Sequence, residues 1–220
     1  MIYSKQFHIR FYFAIAFISL LNLQIKAQNG VKKCGSTHYS MVYNPSEIDS
    51  FNELPSFIQK SLISHLKDKL GHEFYKKLNF ESGLLIDYKE LIRLDPQVIN
   101  YKWKVPKYDL SFYINEEKSG INYCCSRIVL DSLGSVITDI QFPSFKKNNL
   151  NTNFIPVDTI FLTAKKMGYS IKNYELGFSK NHIVFIFSNT NVNKKVSYIE
   201  VSAHTAALLK KYKLSGIRDF

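Results

Sequence analysis

Between residues 54 and 70 an apolar side chain returns every fourth position: Ile58, Leu62, Leu66 and Leu70 form a stripe, broadened by Leu54 and Ile63, and Gly71 follows. This spacing predicts an amphipathic helix with Gly71 as its stop. A second stripe, Val157, Ile160, Phe161, Ala164 and Met167, predicts another helix in PVDTIFLTAKKMG. Pro156 suits its first position and Gly168 the residue just past its end. The period then changes. SIKNYELGF, HIVFIFS and KVSYIEVSA read as three antiparallel strands, separated by the turn-rich SKN and the loop NTNVNKK. In the front half YDLSFYI, NYCCSRIVL and SVITDIQF read the same way, with Asp131, Ser132, Leu133 and Gly134 as a tight turn.

Weaker signals fill the rest. YSMVY suggests a short strand, EFYKKLNF a short helix, and LLIDYKELIRLDP a strand running into a helical turn limited by Pro96. LSGIRDF reads as a cap on the final strand. Polar, Asn-rich FKKNNLNTNF has no periodicity and reads as a linker. The expected class is α+β, with antiparallel sheets each packed by a helix. The expected division is a signal peptide at 1–27, an N-terminal unit at 28–144, a linker at 145–155 and a C-terminal unit at 156–220.

The order helix, Gly168, strands, SYIEVSA and then HTAALL with Thr205 resembles the PepSY-like family of small bacterial secreted and membrane-anchored domains, over about residues 156–213. Ser202 stands where that family usually has an acid, and Ala206 where it usually has Gly. Residues 54–143 repeat the element order and form a candidate degenerate second copy, so that tandem PepSY-like units are expected. The resemblance implies an extracytoplasmic binding or inhibitory role, proposed for the family in relation to peptidases. The hairpin around Asp131, Gly134 and Val136 also looks like one in the TonB C-terminal domain, which would imply a periplasmic interaction domain.

Charge and the first residues set the compartment. Lys5 and Arg10 precede FYFAIAFISLLNL, and QIKA ends in a small residue, which is the pattern of a secretory signal too short to stay as a membrane anchor. Removing residues 1–27 lowers the basic count from 29 to 26 against 18 acids, so the remaining 193 residues carry a net +8. A secreted or periplasmic protein with no later transmembrane segment is expected. There the cysteines favour pairing: Cys34 with Cys124 or Cys125, which as strand neighbours point to opposite faces.

Candidate chemistry is sparse. Cys34 and His38 are four apart and could pair as nucleophile and base, but Gly35, Ser36 and Thr37 are poor helix formers and a disulfide role for Cys34 is favoured. His65 and His72 would stand about 10 Å apart along a helix at ~1.5 Å per residue, too far for one metal ion. The neighbours Glu116 and Glu117, and the pair Asp49 and Glu53, sit in polar contexts where solvated charge is the default. Tyr101 and Trp103 alternate with Lys102 and Lys104, which separates rings from cations and argues for an edge strand rather than a nucleic-acid platform. No phosphate-binding loop, dinucleotide fingerprint, hydrolase elbow or C-x-x-C occurs. No catalytic, cofactor or metal residue is assigned. The expected function is a secreted, non-catalytic module that binds or inhibits an extracytoplasmic protein partner, by strand addition at SIKNYELGF or SYIEVSA. The alternative is a sensor or carrier holding a small-molecule or anionic ligand between sheet and helix with Tyr, Phe and Lys.

Overall fold

The structure, a computed structural model, describes Cys34, Tyr39 and residues 42–100, 106–145, 152–190 and 196–214. The signal-like segment 1–27, His38, Tyr101, Trp103 and linker residues 146–151 lie outside the described residues. The fold is α+β, built on two antiparallel sheets. The first has the order β1 (Ser46–Ile48), β2 (Asn79–Leu85), β3 (Tyr108–Glu116), β4 (Ile121–Leu130) and β5 (Val136–Thr138). The second has β6 (Tyr174–Ser179), β7 (His182–Thr190), β8 (Val196–Ser202) and β9 (Leu208–Leu214), also in sequence order. Helices α1 (Ser56–Leu70), the single turn α2 (His72–Tyr75), α3 (Tyr88–Leu94) and α4 (Val157–Lys166) complete the described framework.

The helical stripes lie where their spacing puts them. Ile58, Leu62, Leu66 and Leu70 are all buried on α1, and Ile160 and Ala164 on α4. They share one core with Leu110, Phe112 and Ile114 of β3, Cys124 and Ile128 of β4, Phe185 and Phe187 of β7, and Ile199 and Val201 of β8. Residues of both halves therefore bury one another. The stretch expected to be a linker joins this core: Phe145 stacks on Phe74 at 4.1 Å between ring centres, and the Ile155 amide donates to the Ala203 carbonyl at 2.9 Å. Gly120 sits at the junction with φ of 70°, and an added Cβ there would lie 2.5 Å from Val157 Cγ2 at the start of α4.

Three expectations are corrected, and one strand is only partly anticipated. The first strand is Ser46–Ile48, not YSMVY, whose described residues Tyr39, Val42 and Tyr43 form no strand. EFYKKLNF supplies only one helical turn before β2, because Asn79 and Phe80 already pair with Tyr113 and Phe112. Only the end of β2 is anticipated, as the strand at LLIDY, because NFESGLL has a bulge between Phe80 and Ser82 and a glycine inside it. Gly83 is there for space: a Cβ would fall 2.6 Å from Leu110 Cδ2. The second sheet has four strands rather than three, since Leu208–Leu214 pairs with β8 instead of merely closing it.

Candidate functional site

The two ends of the second sheet differ. At β6 the Tyr174 hydroxyl donates to the Gly120 carbonyl of the first half at 2.9 Å, and its ring packs 5.0 Å from Phe185. β6 is thus an edge strand seated on the rest of the fold. SYIEVSA offers no edge, because β8 is bonded on both sides, to β7 and to β9. Among the described residues β9 pairs with β8 alone.

β9 reads LLKKYKL, and Lys210, Lys211 and Lys213 are exposed. Its register places Lys210 opposite Glu200 and Tyr212 opposite Tyr198. The two tyrosine rings stack at 5.2 Å, and the Lys210 ammonium lies 4.7 Å over the Tyr212 ring. The Tyr212 hydroxyl is pushed above its ordinary pKa, first by burial and then by the charge and hydrogen bond of Glu200. This strand combines an edge that no further strand covers among the described residues with cations and a rigid ring pair.

Nearby, His182 Nδ1 lies 2.8 Å from Ser202 Oγ, a separation that suits a base and a nucleophile. The surroundings argue otherwise. Ser202 is fully buried, and its oxygen accepts the amides of His204 at 3.1 Å and Thr205 at 3.3 Å. With two amides on the oxygen, the hydroxyl hydrogen is directed to His182 Nδ1, which requires a neutral imidazole. Burial lowers the His182 pKa and favours that form. Among the described residues no carboxylate bonds His182. The pair closes the turn between β8 and β9, where Ala206 takes a φ of 54°.

Among the described residues the most buried charge is Asp109, on the face of β3 opposite Leu110. It accepts Arg127 Nε at 2.9 Å, a second bond from Arg127 Nη2, and the Tyr39 hydroxyl at 2.7 Å. Burial followed by the Asp109 hydrogen bond pushes the Tyr39 hydroxyl far above its ordinary pKa, so it stays protonated and donates. Cys34 is disulfide-bonded to Cys125 one strand away, with Cα atoms 5.7 Å apart. Its amide donates to Glu81 at 3.3 Å, and Glu81 also accepts the Tyr123 hydroxyl. Cys124 faces the core as a free thiol, pushed up to about 12 by burial, and so is no thiolate at neutral pH. These groups fasten the segment around Cys34, Tyr39 and Tyr43 onto the first sheet.

Three other singled-out residues make local contacts. His65 Nε2 meets Asp139 at 2.9 Å, Glu53 closes a capping box on the Ser50 amide at 2.8 Å, and Glu116 pairs with Lys77 at 3.1 Å. Among the described residues no cluster of His, Cys, Asp or Glu could hold a metal ion, and no helix is long and apolar enough to cross a membrane. Sequence reading missed β9, Asp109 with Arg127, and Ser202 with His182. The period-two series Leu208, Lys210, Tyr212, Leu214 was the available signal for β9; the other two pairs are set by register between distant strands. No protein-family model, curated protein or solved structure matches the chain.

Proposed function

We propose that this protein is a non-catalytic binding module of the cell envelope or extracellular space that engages a protein partner by strand addition along β9. The observation that carries the reading is the β9 edge itself, seven residues paired on one side only among the described residues and bearing three exposed lysines. Lysines on an edge repel further strands of this basic protein, and admit a segment whose carboxylates neutralise them. The partner chemistry is therefore an extended acidic segment, with main-chain hydrogen bonds for affinity and lysines for selection. Two details support a PepSY-like reading of this half. Where the family usually has an acid, Ser202 is still an acceptor for backbone amides, and where it usually has Gly, Ala206 adopts a left-handed conformation. On that resemblance, a peptidase is the first partner to try.

The test is a photo-crosslinking residue placed in turn at Lys211, Lys213 and the distant surface position Gln97, in the producing cell. One crosslinked species shared by the Lys211 and Lys213 positions, with the Lys213 species lost when Lys211→Pro removes a backbone donor, supports strand addition. Equal yield from Gln97, or a species indifferent to Lys211→Pro, refutes it.

A further inference from the structure

The cleft of about 480 Å³ between the end of α1, the segment 139–144 and the β6–β7 turn has the size of a small-molecule site. Its wall holds the partly exposed Phe178, which rests edge to face on the buried Phe142 at 5.4 Å between centres, so one aromatic ring is held in a fixed position at the cleft. Around it stand Lys69, Asp139, Ser179, Lys180 and Asn181.

The charges are unequal in a useful way. Asp139 accepts Lys69 at 2.7 Å and His65 at 2.9 Å. Burial works against its carboxylate, but those hydrogen bonds and charges outweigh it and hold the carboxyl below its usual range. The carboxylate at the cleft is therefore already compensated. Lys180 is not compensated: among the described residues its ammonium has no carboxylate within ion-pair distance, and it donates to the Leu209 carbonyl at 2.8 Å. A neutral carbonyl is a weaker acceptor than a carboxylate, so an anion entering the cleft takes this donor over.

The backbone adds a second observation. Lys180 and Asn181 form a two-residue hairpin turn with φ of 46° and 61°. Such turns select Gly, Asn or Asp at both central positions. Asn181 complies. Lysine has no local device that eases a left-handed conformation, which costs about 1 kcal/mol here. The turn would fold better with another residue, and what lysine contributes in return is an ammonium at the cleft.

We infer that this cleft binds a small organic carboxylate with an apolar body, the body against Phe178 and the carboxylate on Lys180. The site does not depend on strand addition along β9, although its Lys180 ammonium also meets the Leu209 carbonyl of that strand.

The experiment uses 4-phenylbutyrate, its neutral counterpart 4-phenylbutanol and inorganic phosphate, titrated against the purified protein and its Lys180→Asn variant by calorimetry and thermal unfolding. The carboxylate should bind and raise the unfolding temperature, the alcohol should bind at least tenfold more weakly, and phosphate should have no effect. Losing one charge-assisted hydrogen bond predicts a roughly 10- to 100-fold weaker affinity in Lys180→Asn. That variant should unfold at the same or a higher temperature, because asparagine suits the turn. Carboxylate affinity unchanged in Lys180→Asn, equal binding of the alcohol, tighter binding of phosphate, or no binding of any probe at millimolar concentration overturns the inference. A less stable Lys180→Asn overturns it too, since lysine would then be there to hold Leu209.

Discussion

The disulfide between Cys34 and Cys125 closes a loop across a sequence separation of 91 residues, which takes in all of α1 and most of the first sheet. Breaking it enlarges the unfolded ensemble, and loop-closure entropy for that length corresponds to about 4–5 kcal/mol at 25 °C. The folded state should survive the loss. The same segment is held by the hydrogen bond from Tyr39 to Asp109 at 2.7 Å, by the Asp87 amide on the Tyr43 hydroxyl at 2.6 Å, and by the burial of both rings with Ile86, Leu91 and Val98. Removing a native disulfide typically costs about 2–5 kcal/mol, so the double variant Cys34→Ser, Cys125→Ser should lose about 3–4 kcal/mol. Urea unfolding followed by far-ultraviolet circular dichroism measures this, with a midpoint shift and a steeper dependence on urea, because the uncrosslinked chain exposes more surface. The melting temperature should fall by about 10 °C. Stability within ~0.5 kcal/mol of the wild type, with an unchanged slope, would refute the reasoning. Cys124→Ser should leave the slope unchanged, since its thiol is not part of the crosslink.

Other positions test the packing and the charges. Asp109→Ala leaves Arg127 and the Tyr39 hydroxyl without their carboxylate, and chemical denaturation should show a loss of about 3 kcal/mol, largely restored by Asp109→Leu combined with Arg127→Leu. Gly120→Ala forces a Cβ against Val157 at a left-handed position, so destabilisation by about 2 kcal/mol or more is expected in the same assay, and a neutral result would disprove the close approach of the halves. Ala206→Gly relieves a φ of 54° and should stabilise by about 0.5 kcal/mol, after the extra unfolded-state entropy of glycine is subtracted. His182 has a folded pKa below its ordinary 6.5, so its contribution is fully present above pH 6.5 and is lost as the pH falls through that value toward the folded one. Melting temperatures recorded from pH 7.5 to 5 should therefore decline, and less so in His182→Asn.

What was legible in the sequence was local, and what was hidden depended on register. The α1 and α4 stripes announce themselves because a helix places its buried residues three or four apart, and the turn at Asp131 because one carboxylate caps the amides of Leu133 and Ser135 at 2.9 and 2.8 Å. Cys124 and Cys125 could be assigned to opposite faces from strand geometry alone, yet only the fold decides which face the segment bearing Cys34 covers. Asp109 looks like any strand-flank acid until β3 and β4 align it beside Arg127. β9 was hidden for the reason that makes it interesting. Lys210, Lys211 and Lys213 interrupt the apolar positions of LLKKYKL, so its period-two series is weak in the sequence, and pairing with Glu200 and Tyr198 is what reveals the strand. The same holds for Lys180: in sequence it is one residue of a turn-rich SKN, and its place at a cleft follows from a hairpin that folds back beside the end of a helix more than a hundred residues earlier. Helical periodicity therefore located the core of this protein, whereas both candidate binding features lie on strand ends and turns, where side-chain identity is released from packing and free to serve recognition.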